Sequence, residues 1–170
     1  MLSKKMLRAL NKQVNAELYS AYLYLSMSAY FESINLKGFA NWMRVQAQEE
    51  VTHAMKFFDY INERGGKVEM MAIEKPPTEW NSPLHVFEET YKHEINVTNM
   101  INELVNLAVE EKDHATYNML QWFVAEQVEE EASADEIRQQ LSLIGKDGRG
   151  ILMIDRELKG RKFIPPAGGE

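Results

Sequence analysis

Glu17, Glu50, His53, Glu94, Gln127 and Glu130 stand where a helical sequence keeps its apolar residues. Each interrupts a stripe of alternating three- and four-residue steps, the spacing of core positions in packed helices. The first stripe runs Leu7, Leu10, Val14, Glu17, Ala21, Tyr24, Ser28, Phe31. The second runs Leu36, Phe39, Met43, Gln46, Glu50, His53, Phe57, Tyr60. The third runs Leu84, Phe87, Tyr91, Glu94, Thr98, Ile101, Val105, Ala108. The fourth runs Thr116, Leu120, Phe123, Gln127, Glu130, Ala134, Ile137, Leu141, Ile144. Burying an unpaired carboxylate is costly, and carboxylates gathered in one layer also repel one another. No Lys or Arg lies on any stripe. The positive charge must therefore come from outside the chain, and metal ions are the obvious source.

Four carboxylates are balanced by two divalent cations. An oxygen-rich shell with a single imidazole suits iron or manganese, and zinc also fits. Only a redox metal gives such a pair oxygen chemistry, since zinc has no redox states. Glu50 and His53 are three residues apart and face inward from one helical turn, and Gln127 and Glu130 repeat the spacing. Tyr24, one heptad after Glu17, could hydrogen-bond a ligand carboxylate or pass an electron. His85, His93 and His114 fall off the stripes and are expected at the surface, as is Glu131.

The elements that must position these groups follow from local signals. The pattern predicts helices over about 4–33 and 35–64, broken by Ser33-Ile34-Asn35 and ended by Gly65-Gly66. A connector of about 18 residues leads to Ser82-Pro83, an N-cap followed by proline at the first helical position. The third helix is expected to run to about Glu111, and Asp113 to cap a fourth reaching Ile144. Ile151 to Leu158 reads as a short fifth helix, and Pro165 to Glu170 as a frayed end. Helices of this length span about 45 Å. The short links make the first pair and the second pair antiparallel. The connector, extended, reaches about 60 Å and can cross the whole length. The expectation is an all-α fold, a four-helix bundle with one long crossover between the second and third helices, spanning residues 1–170 as a single domain.

Composition agrees with that class. The 170 residues are 45% hydrophobic and 26% charged, with no cysteine, which excludes disulfides, thiolate metal sites and iron–sulfur clusters. No run approaches the ~18 apolar residues of a membrane span. The first ten residues already join a helical pattern and do not form a signal peptide, so the expected location is cytoplasmic. A net charge of −7 argues against nucleic-acid binding and fits a protein that attracts cations.

The run Glu17-Leu18-Tyr19-Ser20-Ala21-Tyr22-Leu23-Tyr24, the Glu50-Val51-Thr52-His53 turn, Glu94, and Glu126-Gln127-Val128-Glu129-Glu130-Glu131 together resemble the non-haem ferritins of bacteria and archaea. The resemblance covers about residues 4–160; ferritin-like di-iron bundles are themselves a standard illustration of metal sites built between bundle helices. It implies Glu17, Glu50 and His53 as ligands of one iron, and Glu50, Glu94 and Glu130 as ligands of a second, with Glu50 bridging. Gln127 corresponds to the family glutamine beside the site. Glu49, Glu126 and Glu129 correspond to the third iron position that prokaryotic ferritins often carry. The implied activity is a ferroxidase: Fe(II) is oxidised with dioxygen or peroxide, and ferric oxide is stored inside a cage, usually of 24 subunits. The alternative is a di-iron oxidase or peroxidase on the same bundle without storage; a third reading, from another class, is a metal-free structural bundle.

Departures from neighbouring families narrow the resemblance. Bacterioferritins carry a second Glu-x-x-His where this chain has Gln127 and Glu130, and a haem-ligating methionine where it has Val51, so no haem is expected. The rubredoxin cysteines of rubrerythrins are missing. Mini-ferritins build their site between subunits, which does not fit. The acidic positions of the animal threefold channel fall on Tyr117 and Leu120, so that iron route does not carry over. A further apolar stripe, Leu18, Tyr22, Leu25 and Ala29, is either core or a two-fold subunit contact.

Overall fold

Helix boundaries fall where capping chemistry places them. In the computed structural model, which describes residues 1–165, the elements are α1 (Lys4–Ser33), α2 (Lys37–Glu63), α3 (Pro83–Glu110), α4 (His114–Ile144) and α5 (Gly148–Leu158), with no strand among the described residues. Most of the frayed end expected from Pro165 on lies outside the described residues. Ser82 accepts a hydrogen bond from the His85 amide at 3.1 Å, with Pro83 at the first helical position, as the sequence predicts. Asp113 accepts from the Thr116 amide at 3.1 Å and from the Thr116 hydroxyl at 2.7 Å. At the end of α2, Gly66 N donates to Ile61 O at 2.8 Å and Gly65 N to Asn62 O at 2.9 Å, with Gly65 at φ 71°. The fifth helix starts three residues before the apolar run because Asp147 accepts from the amides of Arg149 and Gly150. Among the described residues, no helix is long and apolar enough to cross a membrane.

The chain divides into two compact units. Among the described residues, one contains 11–80 and 146–165; the other contains residues 2–10 and 81–145.

In the first unit, the tight link at 34–36 turns the chain back on itself, with Asn35 at φ 60°. The turn is held by stacking of Phe31 on Phe39, centroids 5.0 Å apart, and by Ser28 Oγ donating to Ala40 O at 2.8 Å. The connector then lies along α1. Asn11 Nδ2 donates to Lys67 O at 3.1 Å and Asn15 Nδ2 to Ala72 O at 3.1 Å. Ser26 Oγ donates to Pro77 O, and Trp80 meets the edge of Tyr30 at 5.5 Å. Contacts that advance from residue 11 to residue 30 show an irregular segment covering most of a helix length, the role expected of a crossover.

The short helix α5 packs on α2 of its own chain. Leu36, at the N-cap of α2, offers no side-chain acceptor. Asp155, on α5, supplies it from 117 residues away: its Oδ1 accepts from Gly38 N at 2.7 Å and from Phe39 N at 3.2 Å. The approach is so close that a Cβ on Gly38 would lie 1.6 Å from the Asp155 carbonyl oxygen, which makes glycine obligatory.

In the second unit, α3 and α4 pack against each other. Phe87, Ile101, Leu120, Phe123, Ile137 and Leu141 are buried, each contributing about 1.5–3 kcal/mol of burial. The N-terminal turn joins this unit through Ser3 Oγ, which donates to the Glu111 carboxylate at 2.7 Å.

Candidate metal centre

Glu17, Glu50 and His53 come together in the first unit. One ligand atom from each lies within 4.8 Å of the other two, and all three side chains are buried. The i, i+3 step on α2 puts Glu50 and His53 on one turn, with His53 Nδ1 3.4 Å from Glu50 Oε2. Glu17, only 1% exposed, comes from α1. Its Oε1 accepts from Gln13 Nε2 at 2.9 Å, and its Oε2 is buried with no hydrogen-bond partner. Burial above all, then the neighbouring Glu50 charge, pushes the Glu17 carboxyl up to about 8, against the smaller pull of His53 and Gln13. An orphaned carboxylate oxygen facing a second carboxylate and an imidazole is a set of donors that lacks a cation. It fits a hard or borderline divalent ion. Gln13 escaped the sequence reading; its signal was the amide one turn before Glu17, placed to hold one oxygen and leave the other for a ligand.

Glu94, Gln127 and Glu130 are buried in the second unit. Gln127 Nε2 donates to Glu94 Oε2 at 3.2 Å and lies 3.3 Å from both Glu94 O and Thr98 Oγ1. Its amide therefore orients the Glu94 carboxylate. Thr98 Oγ1 donates in turn to Glu131 Oε1 at 2.5 Å. Glu131, expected to be a solvated member of an acidic run, is half-buried because it closes this chain of hydrogen bonds.

The remaining candidates occupy varied surroundings. Tyr24 is fully buried on the α1 stripe. Glu49 is half-buried and pairs with Arg161, while Glu126 is half-buried and Glu129 exposed. His114 is exposed as expected, but His85 and His93 are half-buried, and burial pushes the His93 imidazole down to about 4. Leu18 is half-buried, while Tyr22, Leu25 and Ala29 face outward, so this stripe is not core of its own unit.

Comparison with known proteins gives one consistent result. The ferritin-like domain profile matches residues 7–144. A bacterial non-heme ferritin of Bacteroides fragilis is 46% identical over 161 residues, covering 95% of this chain and all of its own. One from Escherichia coli is 44% identical over 158 residues, covering 93% of this chain and 96% of its own. Among solved structures, an open-pore ferritin from the hyperthermophilic archaeon Archaeoglobus fulgidus superposes with a TM-score of 0.95 at 63% identity, covering 95% of this chain and all of its own. That likeness gives the chain the ferritin-like helical bundle fold. With a profile match over most of its length and close relatives of full coverage, the chain belongs to the ferritin family.

Proposed function

We infer that this chain stores and detoxifies iron, with Fe(II) as its substrate, oxidised at a dinuclear ferroxidase centre in a single di-iron domain. The observation that carries the reading is the buried Glu17 Oε2, an acceptor without a donor, beside Glu50 and His53. In this reading Glu17, Glu50 and His53 hold one Fe(II). Glu50, Glu94 and Glu130 hold the second, and Gln127 fixes the Glu94 carboxylate. Glu49, Glu126 and Glu129 form a third iron position, and Tyr24 stands by the site as a hydrogen-bond or electron donor.

Iron binding requires the Glu17 proton to leave, which turns a buried misfit into a paired charge. The fixed carboxylates favour Fe(III) over Fe(II), since added positive charge lies among anions already in place. Each of two Fe(II) ions yields one electron. The pair of electrons, with two protons, takes dioxygen to hydrogen peroxide, or peroxide to two waters. Ferric oxide then accumulates inside a cage of 24 chains. The acidic surface, with a net charge of −7, suits cation attraction and not nucleic acid, and the cytoplasm is the proposed location.

Aerobic addition of Fe(II), followed by near-ultraviolet absorbance, tests the chemistry. A catalysed rise is expected, and its loss in Glu50→Ala and Glu130→Ala; the absence of any catalysed rise in the native chain would falsify the ferroxidase reading. Sizing tests storage. A cage of 19.7 kDa chains elutes near ~470 kDa. A dimer would leave only an oxidase without a mineral store.

A further inference from the structure

Glu49 is not a bare acidic side chain. Its Oε2 accepts from Arg161 Nη2, and the two side chains are 25% and 23% exposed. Arg161 is itself built into place. Its guanidinium lies over the Trp42 ring, 4.4 Å from the centroid, and its Nη1 donates to Trp42 O at 3.3 Å. Asn41 Nδ2 bonds the carbonyl oxygens of Leu158 and Arg161 at 3.1 and 3.0 Å. Trp42 and Glu49 are one heptad apart, so they share a face of α2. Asp155 binds the start of that same helix. The segment from Asp155 to Arg161 is thus a strap laid along the first half of α2, and its last fastening is on Glu49.

We propose that Arg161 is a positioning residue that acts as a built-in counter-cation for Glu49, so that a metal ion binding Glu49 competes with Arg161 and loosens the end of the C-terminal strap. The proposal rests on the reading of Glu49, Glu126 and Glu129 as a third metal position. A planar guanidinium stacked on an indole and hydrogen-bonded to a carboxylate holds that carboxylate in one orientation. It also places a positive charge beside any incoming cation. At the inner position, by contrast, the buried Glu17 Oε2 has no hydrogen-bond partner. The outer position is therefore weaker than the inner pair and coupled to the strap, and it fills last and empties first.

The test uses the assembled, metal-free protein titrated with Zn(II), a redox-inert probe. Calorimetry counts the ions, and hydrogen exchange follows residues 158–163. The native chain is expected to bind a weaker third ion per chain, and its filling to speed exchange in the strap. Arg161→Gln should tighten that third ion about tenfold by removing a nearby like charge, with the inner two unchanged. Its strap should exchange fast with or without metal. Arg161→Lys, which keeps the charge, should restore weak third-ion binding. Glu49→Gln should lose the third ion and free the strap without metal. Only two ions per chain, with Glu49→Gln indistinguishable from native, overturns the third-position reading and the proposal with it. Three ions that depend on Glu49, with neither affinity nor strap exchange altered in Arg161→Gln, overturns the Arg161 proposal alone.

Discussion

Glu17 carries a strongly perturbed carboxyl. Its carboxyl is pushed up to about 8, mainly by burial and then by Glu50. In the unfolded chain it titrates near its ordinary value of 4.5. Between those two values the folded protein holds a proton that the unfolded chain releases. Metal-free stability therefore declines as pH rises across that window and levels off above it. Chemical denaturation of metal-free protein from pH 5 to pH 8.5 should show the decline, and Glu17→Gln should flatten it, gaining on the order of a few kcal/mol at the alkaline end. A native slope equal to that of the variant would show that Glu17 ionises normally. Metal binding carries the opposite sign. Below pH 8 each Zn(II) bound at Glu17 should release about one proton, so affinity rises with pH until the carboxyl is ionised. Calorimetry in buffers of different ionisation enthalpy measures that proton directly.

Helix α2 depends on a cap that its own neighbourhood does not provide. Leu36 brings no acceptor, and Asp155 closes the gap from α5. Asp155→Ala leaves the Gly38 and Phe39 amides without their acceptor and should cost about 1–3 kcal/mol. Asp155→Asn, which keeps the Oδ1 acceptor, should lose less. Gly38→Ala, which drives a Cβ into the Asp155 carbonyl, should displace α5 and lower the melting temperature at least as far as Asp155→Ala. Equal melting temperatures for all three variants and the native chain would mean that α5 does not hold α2. These elements also mark what could be read from sequence. Ser82, Asp113 and Gly65 announce helix ends because their capping partners lie within a few residues. Glu17, Glu50, His53, Glu94, Gln127 and Glu130 were legible because a heptad stripe exposes any residue of the wrong polarity. Asp155, Arg161 and the burial of Glu131 were not. Their partners lie 117, 112 and 33 residues away, beyond any periodic signal.

At the scale of the molecule, the apolar residues left outside mark the surface where the proposed assembly would make its contacts. Tyr22 is 50% exposed and Leu25 48%, one turn apart on α1. The connector running along α1 adds exposed Met70, Met71 and Ile73. Neither set is filled by its own unit, and isolated chains with so much exposed apolar surface tend to associate. In a closed assembly a two-fold contact brings the same patch of two chains together, so each residue counts twice. One charged substitution there puts like charges face to face across the axis and leaves them desolvated. Leu25→Arg should therefore reduce the proposed ~470 kDa assembly to small species, measured by light scattering. Far-ultraviolet circular dichroism should stay helical, because Leu25 is not part of the buried stripe through Glu17 and Tyr24. The small species should still bind metal at Glu17, Glu50 and His53, which belong to one chain, yet fail to keep ferric mineral in solution. Retention of the full assembly by Leu25→Arg would place the subunit contact elsewhere and leave the outer stripe of α1 unexplained.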